Sequence, residues 1–187
     1  MTGREEVIVN GVIMAHEGRR PVIAADAFIA PTAVIIGDVE IGPGSSIWFG
    51  CVLRGDSNAI RIGARTNIQD GTIIHVNHQK DGGRGAEGFC TSIGDDVTVG
   101  HMALLHACRI ESGAFIGMKA CVMDGAVVEG RAMVAAGALL TPNKRVRAGE
   151  LWAGSPARLM RQLTRDEIDY FPYSAEHYCE LARSYMD

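Results

Sequence analysis

Apolar residues recur at every sixth position over much of this chain, and few folds can absorb so short a fixed period. Ile29, Ile35, Ile41, Ile47 and Leu53 are six apart. Ile62, Ile68 and Ile74 resume the period after a short break, and Ile93, Val99 and Leu105 after a longer one. A one-residue slip then leads into Ile110, Ile116, Val122, Val128, Val134 and Leu140. An amphipathic helix repeats about every 3.6 residues and a half-buried strand every second residue, so neither explains the pattern. Hexapeptides stacked into a parallel β-helix do.

Taken three to a coil, the seventeen positions make between five and six coils of a triangular prism. Each apolar residue points inward, and the next residue on its short strand points outward. Gly37-Asp38, Gly42-Pro43-Gly44, Gly94-Asp95, Gly113, Gly125, Gly130 and Gly137 suit the corners. The fold class is therefore mainly β. Residues 1–28 read as an N-terminal cap, 29–155 as the β-helix, and 156–187 as a C-terminal helical segment. In that last segment Thr164-Arg-Asp-Glu167 has the pattern of a capping box. The stretch from there to Tyr185 reads as one or two helices, interrupted near Pro172. A solenoid leaves its ends and faces exposed, so self-association is expected.

Composition excludes some functions. A net charge of −4 and an isoelectric point near 5.9 argue against a nucleic-acid partner, which needs clustered Lys and Arg. The basic stretch Lys144-Arg145-Val146-Arg147 is short and reads as a solvated turn where the coil ends. An aromatic content of 6% disfavours a stacking platform for single strands. No apolar run approaches the roughly 20 residues that span a bilayer, so no membrane partner is expected. The start, Met1-Thr-Gly-Arg-Glu-Glu, lacks the layout of a signal peptide. Five cysteines without a CxxC spacing favour reduced thiols, and a cytoplasmic location is expected. Cys51, Cys108 and Cys121 fall inside the repeat and read as small packing residues.

Histidines stand out against this frame. His75, His78, His101 and His106 fall within 32 residues. Leu53, Ile74 and Leu105 lie on one face of successive coils, so their outward successors Arg54, His75 and His106 form a column. Coils are about 4.8 Å apart, close enough for two imidazoles to share a metal at about 2.0–2.1 Å. On the neighbouring face Ile68 and Val99 are followed, two residues on, by Asp70 and His101, a second column at a corner with Gln69 beside it. Within one prism that corner points away from the first face, but two prisms side by side could bring the columns together. Three subunits about an axis would make three such sites. The other two histidines, His16 and His177, read as surface groups.

Leu53-Arg-Gly-Asp56, Ile62-Gly-Ala-Arg-Thr-Asn-Ile-Gln-Asp-Gly71, Ile74-His75, Val99-Gly-His101 to Leu105-His106, and Gly154-Ser-Pro-Ala-Arg158 all point one way. At these residues, and over nearly its whole length, the chain resembles the γ-class carbonic anhydrase family in its branch of shorter bacterial homologues. The resemblance implies a left-handed parallel β-helix with a C-terminal α-helix, assembled as a homotrimer with the metal between subunits. It implies His75, His101 and His106 as metal ligands, and Arg54 with Asp70 as an interfacial salt bridge to which Asp56 contributes. The implied cofactor is Zn2+, with Fe2+ or Co2+ as alternatives. Water on the metal would ionise near neutrality and the hydroxide would attack CO2 to give bicarbonate. Gln69 would orient that water, and Tyr178 matches a tyrosine lining the site in short homologues. Ser57 and His78 stand where well-studied members carry glutamates, one of them the proton shuttle. His78 is then either a substitute shuttle or a plain loop residue.

Two other functions compete. One is a hexapeptide acyltransferase or CoA thioesterase on the same scaffold, although acyltransferases of this fold commonly use one catalytic histidine rather than three convergent ones. The other is a non-catalytic trimeric scaffold retaining a vestigial metal site.

Overall fold

A computed structural model describes residues 11–78 and 90–186. The first ten residues of the expected cap, and the glycine-rich part of the second interruption at 79–89, lie outside the described residues.

The sixfold repeat folds as a parallel β-solenoid with three columns of inward side chains. On the first face Ile29, Ile47, Ile68, Val99, Ile116, Val134 and Trp152 stand in register. The second face stacks Ile13, Ile35, Leu53, Ile74, Leu105, Val122 and Leu140. The third stacks Ile23, Ile41, Ile62, Ile93, Ile110, Val128 and Val146. Among the described residues each face therefore has seven rungs, more than the five to six coils expected. Two strands of the expected cap, Val12–Met14 and Val22–Ile23, add a rung at one end. Glu150–Gly154 adds one at the other. Of the seventeen repeat positions only Ile29 is not fully buried, and it sits in the first rung of its face among the described residues.

Between the large inward residues the chain places small ones. Ala33, Cys51, Thr72, Ala103, Ala120 and Ala138 each precede a second-face residue by two and are all buried. A larger side chain there would collide with the rung beside it, since native cores have little spare volume. Burial pushes the Cys51 thiol up to about 11, against some relief from hydrogen bonds, and drives Cys108 higher still. These thiols pack and stay protonated.

Strands Val34–Ile41 and Val52–Ile62 run on around a corner, so two of the faces join in a single twelve-stranded sheet. The basic stretch at 144–147 is not a solvated turn. Arg145–Val146 is a strand, Val146 completes the third column at full burial, and Arg145 pairs with Glu129 at 2.8 Å.

The C-terminal segment begins as strand Ala157–Gln162, antiparallel to Glu150–Gly154, and so is not helical from its start. Its helix, Arg165–Arg183, is then continuous through Pro172. The expected break does not form, because a strong cap and a packed face hold the helix together. Thr164 and Glu167 close the capping box, with Thr164 N–H donating to Glu167 at 2.8 Å, and Arg161 grips the same carboxylate at 2.7 and 2.8 Å. Phe171, Ser174, Ala175, Cys179 and Ala182 are buried at helical spacing against the first face. Phe171 stacks on Phe115 with ring centroids 5.1 Å apart, and Ala182 packs among Phe28, Ala30 and Trp48.

Candidate metal centre

Strands Ile73–His75 and Leu104–His106 are adjacent, with His75 paired to His106 in register. Both imidazoles stand outward on the second face and are only partly exposed. His75 Nδ1 lies 3.2 Å from His106 Nε2. The other nitrogen of each ring meets a carboxylate: His75 Nε2 lies 3.0 Å from Asp56 Oδ1, and His106 Nδ1 lies 2.6 Å from Asp124 Oδ1.

Those carboxylates decide the tautomers. An ionised carboxylate can only accept, so each outer ring nitrogen carries the proton. The two inner nitrogens are then left with lone pairs that face one another. At 3.2 Å they repel unless a proton or metal cation lies between them. A tetrahedral cation about 2.0–2.1 Å from each nitrogen needs them about 3.3 Å apart. The observed pair fits that edge, and a carboxylate behind each imidazole is the usual support of a metal-bound histidine.

Both acids are held ionised. Burial opposes the charge on Asp56, but bonds from Arg54, His75 and Ser57 outweigh it and set its carboxyl well below the usual range. Burial likewise opposes Asp124, and bonds from His106 and Asn77 win.

His101 stands apart on the corner between the first and second faces. Its Nδ1 lies 2.9 Å from Asp70 Oδ2, and both side chains are 42% exposed. The corner is stacked: Met102 N–H donates to the Asp70 carbonyl at 2.8 Å. All three histidines therefore share one feature, a carboxylate on one ring nitrogen. Among the described residues of the single chain, no three His, Cys, Asp or Glu side chains form a metal cage.

The remaining candidate residues divide between these two groups. Arg54 pairs with Asp56 in its own chain, and Asp70 with His101, so Arg54 and Asp70 do not meet each other there. Gln69 is buried on the first face, its Nε2 donating to Asn67 Oδ1 at 3.0 Å. Asn67 donates to Thr98 at 3.0 Å, and the Thr98 and Ser174 hydroxyls lie 3.1 Å apart. The amide of Gln69 is thus oriented from the helix side. Tyr178 is half-buried, edge-on to Trp48 with ring centroids 5.5 Å apart. Burial and the nearby charge of Asp70 push its hydroxyl upward. His78 is exposed at the edge of the described residues. His16 and His177 are exposed, His177 stacking on Tyr173.

Two residues of this site were missed in the sequence, Asp124 and Asn77. Asp124 is not in the outward position of its rung, which belongs to Met123, and it approaches His106 from the corner. The signal that could have found it is chemical: a histidine ligand calls for a carboxylate behind it.

The repeat and the solenoid define a hexapeptide-repeat protein, and the pattern of the family described as "Bacterial transferase hexapeptide (six repeats)" matches residues 20–55. Gamma carbonic anhydrase 2, mitochondrial, of Arabidopsis thaliana is 52% identical over 165 residues, 88% of this chain and 58% of the relative. Gamma carbonic anhydrase 3, mitochondrial, of the same plant is 46% identical over 182 residues, 97% of this chain and 69% of the relative. The chain belongs to the gamma carbonic anhydrase family. It spans less than two thirds of the length of the first of these relatives. A crystal structure of a hexapeptide transferase family protein from Anaplasma phagocytophilum has a TM-score of 0.85 and 48% identity, covering 93% of this chain and 98% of that one.

Proposed function

We propose that this chain is a metal-dependent carbonic anhydrase, catalysing the reversible hydration of CO2 to bicarbonate and a proton. The observation that carries the reading is the facing pair of imidazole nitrogens at 3.2 Å, each ring backed by a carboxylate. His75 and His106 from one subunit, with His101 from the next, would hold Zn2+, or Fe2+ or Co2+ in its place. Such a cation supplies a Lewis acid that lets water ionise near pH 7. Three neutral imidazoles leave it a net positive charge and an open position.

The chain's own residues do the rest. Asp56 and Asp70 accept from one ring nitrogen of His75 and His101 and so aim the other. Gln69, fixed through its nitrogen by Asn67, keeps its carbonyl end to orient water. The released proton must reach solvent, and His78 is an exposed imidazole a few residues beyond His75 that can carry it. Tyr178 closes the helix side.

A shared site needs a second copy beside the first, and the surface is suited to one. On the second face Val12, Ile73 and Leu104 point outward and are exposed, with Met102 and Met118 exposed at the His101 corner. Apolar side chains massed next to a candidate site mark an association surface. A homotrimer covers them and brings a His101 corner to each His75–His106 pair. Among the described residues no helix is long and apolar enough to cross a membrane.

Acyl transfer is the second reading, since the Anaplasma structure is described as a hexapeptide transferase family protein. Three carboxylate-backed histidines weigh against it, because a transferase base needs only one. Stopped-flow CO2 hydration by metal-replete protein tests the two. Gln69→Leu should keep its metal and lose hydration, as it removes orientation without a ligand. His78→Ala should slow turnover at low buffer and recover with added imidazole. Metal-replete protein with no hydration above background refutes the proposal.

A further inference from the structure

Asp124 and Asn77 stand behind His106, outside the residues singled out by the sequence. Each oxygen of Asp124 has one strong partner. His106 Nδ1 lies 2.6 Å from Oδ1, and Asn77 Nδ2 donates to Oδ2 at 2.5 Å. Asn77 comes from the segment just after His75, so the clamp joins the strand ends of both second-face histidines through one carboxylate. Its carbonyl in turn accepts from Asn58 Nδ2 at 3.3 Å, which ties in the strand carrying Asp56.

The backbone also presents Asp124 by design of the corner. Gly125 N–H donates to the Ala107 carbonyl at 2.8 Å, which stacks the Asp124 corner directly on the turn after His106. Gly125 has φ +66°, and a Cβ there would lie 2.4 Å from Asn143 Oδ1. A side chain there would have to push the Asn143 amide aside, so glycine suits the turn.

We propose that Asp124, clamped by Asn77, is the positioning residue of His106. It fixes the proton on Nδ1 and the ring plane, so that the Nε2 lone pair meets Nδ1 of His75. The assignment rests on the reading of His106 as a metal ligand, but the tautomer can be read without any metal.

The test uses the full chain. Nitrogen-15 NMR of the ring nitrogens in metal-free protein should find His106 protonated at Nδ1. Asp124→Asn keeps the size and fold, but with Asn77 donating to its oxygen it turns an N–H toward the imidazole. A neutral amide in place of an orienting aspartate selects the wrong tautomer, so His106 should move its proton to Nε2. Zinc affinity, read by competition with a chromophoric chelator, should then fall about 10–100-fold, as for other lost outer partners. Asn77→Ala should weaken zinc in the same direction by less. Glu129→Gln, which removes a carboxylate paired with Arg145 on the third face, should change neither readout.

A wild-type His106 protonated at Nε2 and unprotonated at Nδ1 overturns the proposal. So does a folded Asp124→Asn with unaltered tautomer and zinc affinity. Should wild-type protein bind no zinc while its tautomer still follows residue 124, the positioning role stands and the metal reading falls.

Discussion

His106→Ala should abolish metal binding and take CO2 hydration to the uncatalysed rate. Loss of one imidazole of three leaves too few protein ligands for a tetrahedral site. The affinity loss should lie well beyond the about 10–100-fold of a lost outer partner. The fold should survive, because His106 stands outward while Leu105 fills the core. Its side chain is 30% exposed, so truncation opens no sealed cavity. Elemental analysis and thermal melting of metal-free protein check the two halves of this expectation. Full metal occupancy in the variant would remove His106 from the ligand set, and with it the significance of the 3.2 Å approach to His75.

How much of this the sequence discloses depends on whether backbone or side chain decides. Register is a backbone property, set wherever a slip would turn apolar residues outward. Spacing alone therefore put Ile74 beside Leu105 and His75 beside His106, and the strands pair that way. The same logic placed Asp70 and His101 together at the corner. It failed at the ends, where the period continues through residues that do not advertise it. Val146 lies among Lys144, Arg145 and Arg147, and Trp152 is only partly buried. Charged neighbours made a buried strand look like a turn.

Pro172 misled for a different reason. Local chemistry argues for a break, since proline removes one helical hydrogen bond. The capping box and the buried stripe from Phe171 to Ala182 override it. Asp124 was hidden because alternation predicts where a Cβ points, not how far a side chain leans around a corner. Within the chain Arg54 sits against Asp56 and Asp70 against His101, while the Arg54–Asp70 pair implied by the resemblance belongs to the contact between two copies.

The two-column geometry makes a prediction that few other arrangements share. If His75 and His106 come from one subunit and His101 from the next, each single variant destroys every site in its own homotrimer. Chains carrying His75→Ala still offer an intact His101 corner. Chains carrying His101→Ala still offer an intact His75–His106 pair. Contacts around a cyclic trimer run head to tail, so every mixed trimer contains one interface where the intact halves meet. With random equal mixing each half is intact with a chance of about one half, and about a quarter of all sites should recover. Co-refolding the two inactive variants and measuring bound metal and CO2 hydration reads that fraction directly. Either variant refolded alone should stay at background, which excludes leakage as the source of recovery. Mixed trimers shown by mass spectrometry but devoid of metal would place all three ligands in one chain. That outcome would contradict the outward corner at which the structure holds His101 against Asp70.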